Sequence, residues 1–208
     1  MHIWKLRKGA EKRFRTGHPW VFSNELTASP KGLPQGDLVQ LNGETGDFLA
    51  LGYGNPSSLI AFRALSYTSE EIDSQFFFKR FKQAIEVRRR ASQLNASHRF
   101  VFAESDYLPG LIIDRYLINQ RLSQVFVIQS STAGMDKLQE HWLQALEDIV
   151  EYENKNQVSS VSWNQTAIVF ANTSRSRALE GIPVESKIIF KNIEGVDFNC
   201  VDVLIENT

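Results

Sequence analysis

Two hydrophobic periods divide the chain. From Met1 to about Ser66, apolar residues come in short stretches separated by turn residues, as brief β-strands require. Trp20-Val21-Phe22 follows Gly17-His18-Pro19. A loop marked by Pro30, Gly32, Pro34 and Gly36 leads into Asp37-Leu38-Val39-Gln40-Leu41, which alternates like a half-buried strand. Phe48 to Tyr53 and Leu59 to Leu65 flank the Gly54-Asn55-Pro56 break. This many short strands in so little chain predicts a small β-barrel.

Beyond Ser69 the period becomes helical. Ile72, Phe76, Phe77, Phe81, Ile85 and Val87 recur at helical intervals and predict a long helix from Ser69 to about Leu94. Strands are expected at 99–102, 110–116 and 122–129. A second helix follows at 135–150, with Leu138, Trp142, Leu143, Leu146 and Ile149 on one face, then strands at 158–161 and 167–170. The expected fold class is therefore α+β: a barrel, then a β-β-α-β-β core preceded by a long helix. Terminal strands are expected around 188–190 and 196–203. The chain stops at Thr208 with no closing helix, so a truncated domain is expected.

Composition adds little to the fold and more to the function. With 42% hydrophobic and 23% charged residues, the 208-residue chain reads as an ordinary globular protein of one large or two small domains. No apolar stretch approaches the length of a membrane span, Lys5 interrupts any N-terminal signal sequence, and a single cysteine, Cys200, fits a reducing compartment. The expected location is the cytoplasm.

The net charge of −1 conceals an uneven distribution. Residues 1–95 carry 14 bases and 9 acids, a net +5, whereas residues 96–208 carry 9 bases and 15 acids, a net −6. A polyanion should therefore dock on the first part. Lys5, Arg7, Lys8, Lys12, Arg13 and Arg15 face one acid, Glu11, in the densest stretch, although a solvated strand and turn would have the same composition. Arg88-Arg89-Arg90 forms a second basic group on the predicted helix, where solvation alone would also account for it.

Catalytic patterns are few. Gly52-Tyr53-Gly54 lacks the third glycine of a dinucleotide loop, and His2, His18, His98 and His141 have no metal-ligand spacing. Cys200 sits in an apolar stretch that suits a buried thiol. Asp106 and Asp114 occupy positions where carboxylates cap backbone groups. The remaining chemistry is cationic and aromatic: Trp4, Phe14, Trp20, Phe22 and Tyr53 are interleaved with Lys8, Lys12, Arg13, Arg15 and His18. Lysine and arginine neutralise phosphates and aromatic rings stack on unpaired bases, so the mixture suits folded RNA. The same aromatics could instead fill the barrel.

Four strings, in order, carry a family resemblance. Arg13-Phe14-Arg15 with Gly17-His18-Pro19-Trp20-Val21-Phe22-Ser23, the stretch from Gly52 to Arg63, the stretch from Glu104 to Tyr116, and Arg175 to Ile182 resemble the bacterial ribosomal RNA large-subunit 5-methylcytosine methyltransferases. The resemblance implies a PUA domain at 1–67, a linking helix at 68–95, a central α+β domain at 96–182, and terminal strands at 183–208 leading to a Rossmann-like domain. That last domain is expected to be absent here. The chain is then the RNA-gripping, N-terminal part of an S-adenosylmethionine-dependent enzyme and inactive alone. A free-standing PUA-type RNA-binding or assembly module is the alternative. The expected RNA contacts are Lys8, Lys12, Arg13, Arg15, His18, Trp20, Tyr53 and Arg63. No catalytic, cofactor-binding or metal residue is expected within the chain. The expected partners are ribosomal RNA and, at the level of the family, a second copy in a homodimer.

Overall fold

The computed structural model describes residues 1–90, 97–118 and 123–189. The expected end of the first helix near Leu94, the strand at 196–203 and Cys200 lie outside the described residues.

The first lobe is a five-stranded sheet in the order β1-β3-β4-β5-β2, made of β1 (His2–Lys5), β2 (Trp20–Phe22), β3 (Leu38–Asn42), β4 (Phe48–Gly54) and β5 (Ile60–Ser66). Beyond β1 and β2, the two edge strands, Leu6 and Leu26 form an antiparallel bridge, which closes the sheet into a barrel. The alternation read in β3 sends Val39 and Leu41 inward to meet Leu6, Phe14, Val21, Leu26 and Phe62. The stretch expected as strand and turn instead contains a short helix, α1 (Glu11–Arg15), which plugs the barrel with Phe14 and presents its charges outward.

The second lobe is also a five-stranded sheet, in the order β10-β9-β8-β7-β6. Its strands are β6 (His98–Phe102), β7 (Leu111–Ile118), β8 (Ser123–Ser130), β9 (Thr166–Asn172) and β10 (Glu185–Ile189). Helices α2 (Ser74–Arg90) and α4 (Gln139–Lys155) pack together on one face of it, and two shorter helices, α3 (Ala133–Lys137) and α5 (Arg175–Leu179), flank the connections. The residues spaced four apart in α2, Phe77, Phe81 and Ile85, meet Phe100, Phe126, Trp142 and Phe170 in one core. That core also takes Leu51, Tyr53 and Leu65 from the outer faces of β4 and β5, so the barrel wall forms part of the second lobe's interior.

Three sequence expectations are corrected here. Helix α2 starts at Ser74 rather than Ser69, because the Asp73 carboxylate accepts from the Phe76 amide at 2.9 Å and Glu70 is occupied by the Ser66 hydroxyl. Residues 158–161 form no strand. Helix α4 closes on Gln157 at φ +58, and the Val158 amide is spent on the Glu153 carbonyl at 2.9 Å. The β-β-α-β-β reading as a plain α+β unit also gives way. The sheet is mixed: β8 and β9 run parallel and are joined through α3 and α4, a βαβ crossover of the kind from which Rossmann-like sheets are built.

Candidate nucleic-acid interface

Side chains in the basic stretch divide by type. Arg13 pairs with Glu25 at 2.7 Å, donates to the Trp20 carbonyl at 3.3 Å and lies 4.9 Å from the Phe22 ring centroid. Arg15 pairs with Asp47 at 2.5 Å and Glu11 at 3.0 Å, and these bonds raise its pKa further. Arg7 donates to the Leu26 carbonyl at 2.6 Å. Lys5, Lys8 and Lys12 are exposed, and among the described residues none has a carboxylate partner. Arg7 and Arg13 therefore fasten the turn and α1, Arg15 is held only by exposed pairs, and the lysines carry the charge left for a polyanion.

Arg13 also links this edge to a cleft of about 690 Å³ between the lobes, because Phe22 and Trp20 both line it. The Trp20 indole nitrogen donates to Glu104 at 3.0 Å, its backbone amide donates to His18 Nδ1 at 3.2 Å, and the two rings meet edge to face at 5.6 Å. Trp20 is thus held rigidly at the cleft wall. Leu59 and Leu179, 81% and 77% exposed, stand at the cleft with Phe102, so its lining is apolar and aromatic.

Two expected RNA contacts are corrected by burial. Tyr53 is 1% exposed; its hydroxyl donates to the Pro109 carbonyl at 2.7 Å and lies 3.0 Å from the Thr132 hydroxyl, and burial pushes its phenol pKa far up. Its ring fits there because the facing residue is Gly134, where a Cβ would overlap the ring. Arg63 is 7% exposed and pairs with Glu180 at 2.8 Å, while Asn55 donates to the same carboxylate at 2.8 Å. Both residues join the lobes. The second basic group is similarly committed: Arg88 is buried against Asp106, and Arg89 and Arg90 pair with Glu86.

The string from Glu104 to Tyr116 is a buckle. Glu104 holds Trp20, Asp106 holds Arg88 through two 2.7 Å bonds and accepts from the Phe102 amide, and the Pro109 carbonyl holds Tyr53. Gly110, at φ +79, packs its backbone against Thr132, where a Cβ would collide. Asp114 pairs with Arg99 at 2.8 Å. Reading the residues one at a time found the capping role of Asp106 but not Glu104 or Phe102 as cleft-lining residues, because their partners are far away in sequence. Among the described residues, no group of side chains could hold a metal ion, and no helix is long and apolar enough to cross a membrane.

The barrel is a PUA-like domain: residues 5–67 match the family of that description. Over 190 residues, 90% of the chain, it is 31% identical to ribosomal RNA large subunit methyltransferase I of Aliivibrio fischeri. Over 137 residues, 64% of the chain, it is 37% identical to the protein of that name from Shewanella frigidimarina. The chain spans 46% of the first relative's length and 33% of the second's. A solved structure described as a SAM-dependent methyltransferase from Streptococcus mutans superposes with TM-score 0.67 at 15% identity, over 93% of this chain and 44% of that one. A methyltransferase complexed with SAH gives TM-score 0.68 at 15% identity, over 94% and 44%.

These superpositions correct two further expectations. The resemblance implies the N-terminal part of a methyltransferase, with a Rossmann-like domain absent and no activity alone. Instead, 93% of the chain superposes on a fold found inside a chain described as a methyltransferase.

Proposed function

We propose that this chain belongs to the S-adenosylmethionine-dependent ribosomal RNA methyltransferases, of the class that modifies cytosine at carbon five, and that its PUA-like lobe grips the RNA and positions it. The observation that carries this reading is the row of unpaired lysines, Lys5, Lys8 and Lys12, on the edge of a PUA-like barrel whose Arg13, Phe22 and Trp20 lead into an aromatic cleft. The 31% identity along 90% of the chain supports the reaction class. The RNA backbone would run along α1, with His18 and Trp20 at the entrance to the cleft. Function then divides the chain at the boundaries read from the sequence, 1–67 for gripping and 96–182 for positioning. The cytoplasm, where such RNA is found, is its proposed location.

S-adenosylmethionine is the methyl donor this reading requires. The cleft residues fit it poorly: among the described residues, its two carboxylates are Glu104, which already accepts from Trp20, and Glu180, which is tied to Arg63 and Asn55. No chemical step is assigned to the cleft.

The test is binding of a structured large-subunit rRNA fragment across a salt series. Affinity should fall steeply with salt, and changing Lys5, Lys8 and Lys12 together to alanine should flatten the slope of log affinity against log salt by about 2 to 3 units. Unchanged affinity and slope would place the RNA elsewhere.

A further inference from the structure

Tyr107 occupies an unusual position for its residue type. At φ +59 it lies in the left-handed region, where a side chain bearing a Cβ is disfavoured and glycine is the ordinary occupant. Burial does not offset that cost, because the residue is 57% exposed. A structural role would be better served by a glycine or asparagine at this point of the buckle, so the ring itself needs another explanation.

Its surroundings supply one. The Arg80 guanidinium carbon lies 5.2 Å from the Tyr107 ring centroid and 5.0 Å from that of Phe76, and a nitrogen of the guanidinium donates to the Leu65 carbonyl at 2.9 Å. Its Nε is buried with no hydrogen-bond partner among the described residues. A second exposed ring, Tyr67, lies next to the barrel's helix, 5.6 Å from Phe14 of α1. Arg80 links the two tyrosines: its guanidinium lies against the Tyr107 ring and donates to the Leu65 carbonyl, two residues before Tyr67. One ring thus belongs to the buckle and the other to the end of the barrel, with a fixed guanidinium beside the first and the helix that follows Lys8 and carries Lys12 beside the second.

Exposed π-faces, a cation and phosphate partners are what an unpaired nucleobase uses for binding. We propose that Tyr107, with Tyr67 beside it, is a stacking platform for an unpaired base of the RNA whose backbone α1 holds. This rests on the functional reading above and extends it in two ways. The second lobe contributes directly to RNA binding, and the ligand there is single-stranded.

The experiment compares binding of a short oligouridylate with binding of a blunt RNA duplex to the full chain. Tyr107→Ala should weaken oligouridylate binding about 5- to 100-fold and leave duplex binding within about twofold, while Tyr107→Phe keeps both. Tyr107→Gly removes the ring and the backbone strain together and should show the same selective loss, which a distorted loop would not explain. Tyr107→Trp should add fluorescence that oligouridylate quenches, a signal a purely structural ring would not give. If the parent binds RNA and neither Tyr107→Ala nor Tyr107→Gly changes oligouridylate binding, the platform is wrong and the grip along α1 stands. If the parent binds neither RNA, both readings fall.

Discussion

At the α1 edge, Lys5, Lys8 and Lys12 stand in solvent with no carboxylate partner among the described residues, whereas between the lobes Arg63 is buried against Glu180, and in the second lobe Arg177 is buried against Asp136. Deeper in the second lobe, Arg115 is buried against Glu153. The barrel thus carries cations of both kinds, and counting charges along the chain treats them alike. A cation in water is screened and weakly held, which leaves it available to phosphate. A guanidinium taken out of water is tied to its carboxylate, because separating them would leave a buried charge unpaired. Exposure, more than residue type, sets which cations can meet RNA.

The contrast is broken most sharply at the seam. Glu180→Ala strands Arg63 and should cost about 3–5 kcal/mol in chemical denaturation, while Arg63→Met combined with Glu180→Leu should recover most of that loss. A single-change cost below about 1 kcal/mol would mean that the pair behaves like a surface pair.

A smaller effect separates buried from exposed carboxylates by the sign of their pH dependence. Burial raises the Glu153 pKa above its usual 4.5 despite Arg115, so the folded state retains a proton that the unfolded chain releases. Its contribution to stability is therefore greatest below pH 4.5 and is lost as pH rises through the raised value. Exposed Glu86 is the opposite case: the Arg89 hydrogen bond, aided by Arg90, draws its pKa down to about 2. Its contribution is present above 4.5 and is lost as pH falls towards 2. The stability of the parent relative to Glu153→Gln should fall as pH rises above 4.5, and its stability relative to Glu86→Gln should fall as pH drops below it. Differences of the reverse sign would overturn the assignment of buried and exposed roles.

The smallest expected effect is at Arg15. Its two carboxylates and its position in solvent predict that Arg15→Ala leaves the unfolding midpoint unchanged at moderate salt. A clear loss of stability would make this arginine a fastener of the interior kind.

Much of the architecture was legible from periodicity. Val39 and Leu41 alternate into the barrel core, and Phe77, Phe81 and Ile85 line one face of α2, because burial imposes the period of each element on its own residues. The site was legible only in part. Trp20 lines the cleft wall, whereas Tyr53 and Arg63 are buried. Tyr53 is an interior ring only because Gly134, remote in sequence, makes room for it.

The alternation of β3, the helical period of α2, the cationic bias of the first part and the structural role of Asp106 were therefore determined by the sequence alone, since each depends on neighbouring residues or on simple counting. Tertiary structure decided which arginines were spent as fasteners, that the barrel wall and the second sheet share one core, and that Tyr107 stands strained in solvent beside Arg80. These outcomes depend on contacts between residues far apart in sequence, and such contacts are fixed only when folding removes particular side chains from water.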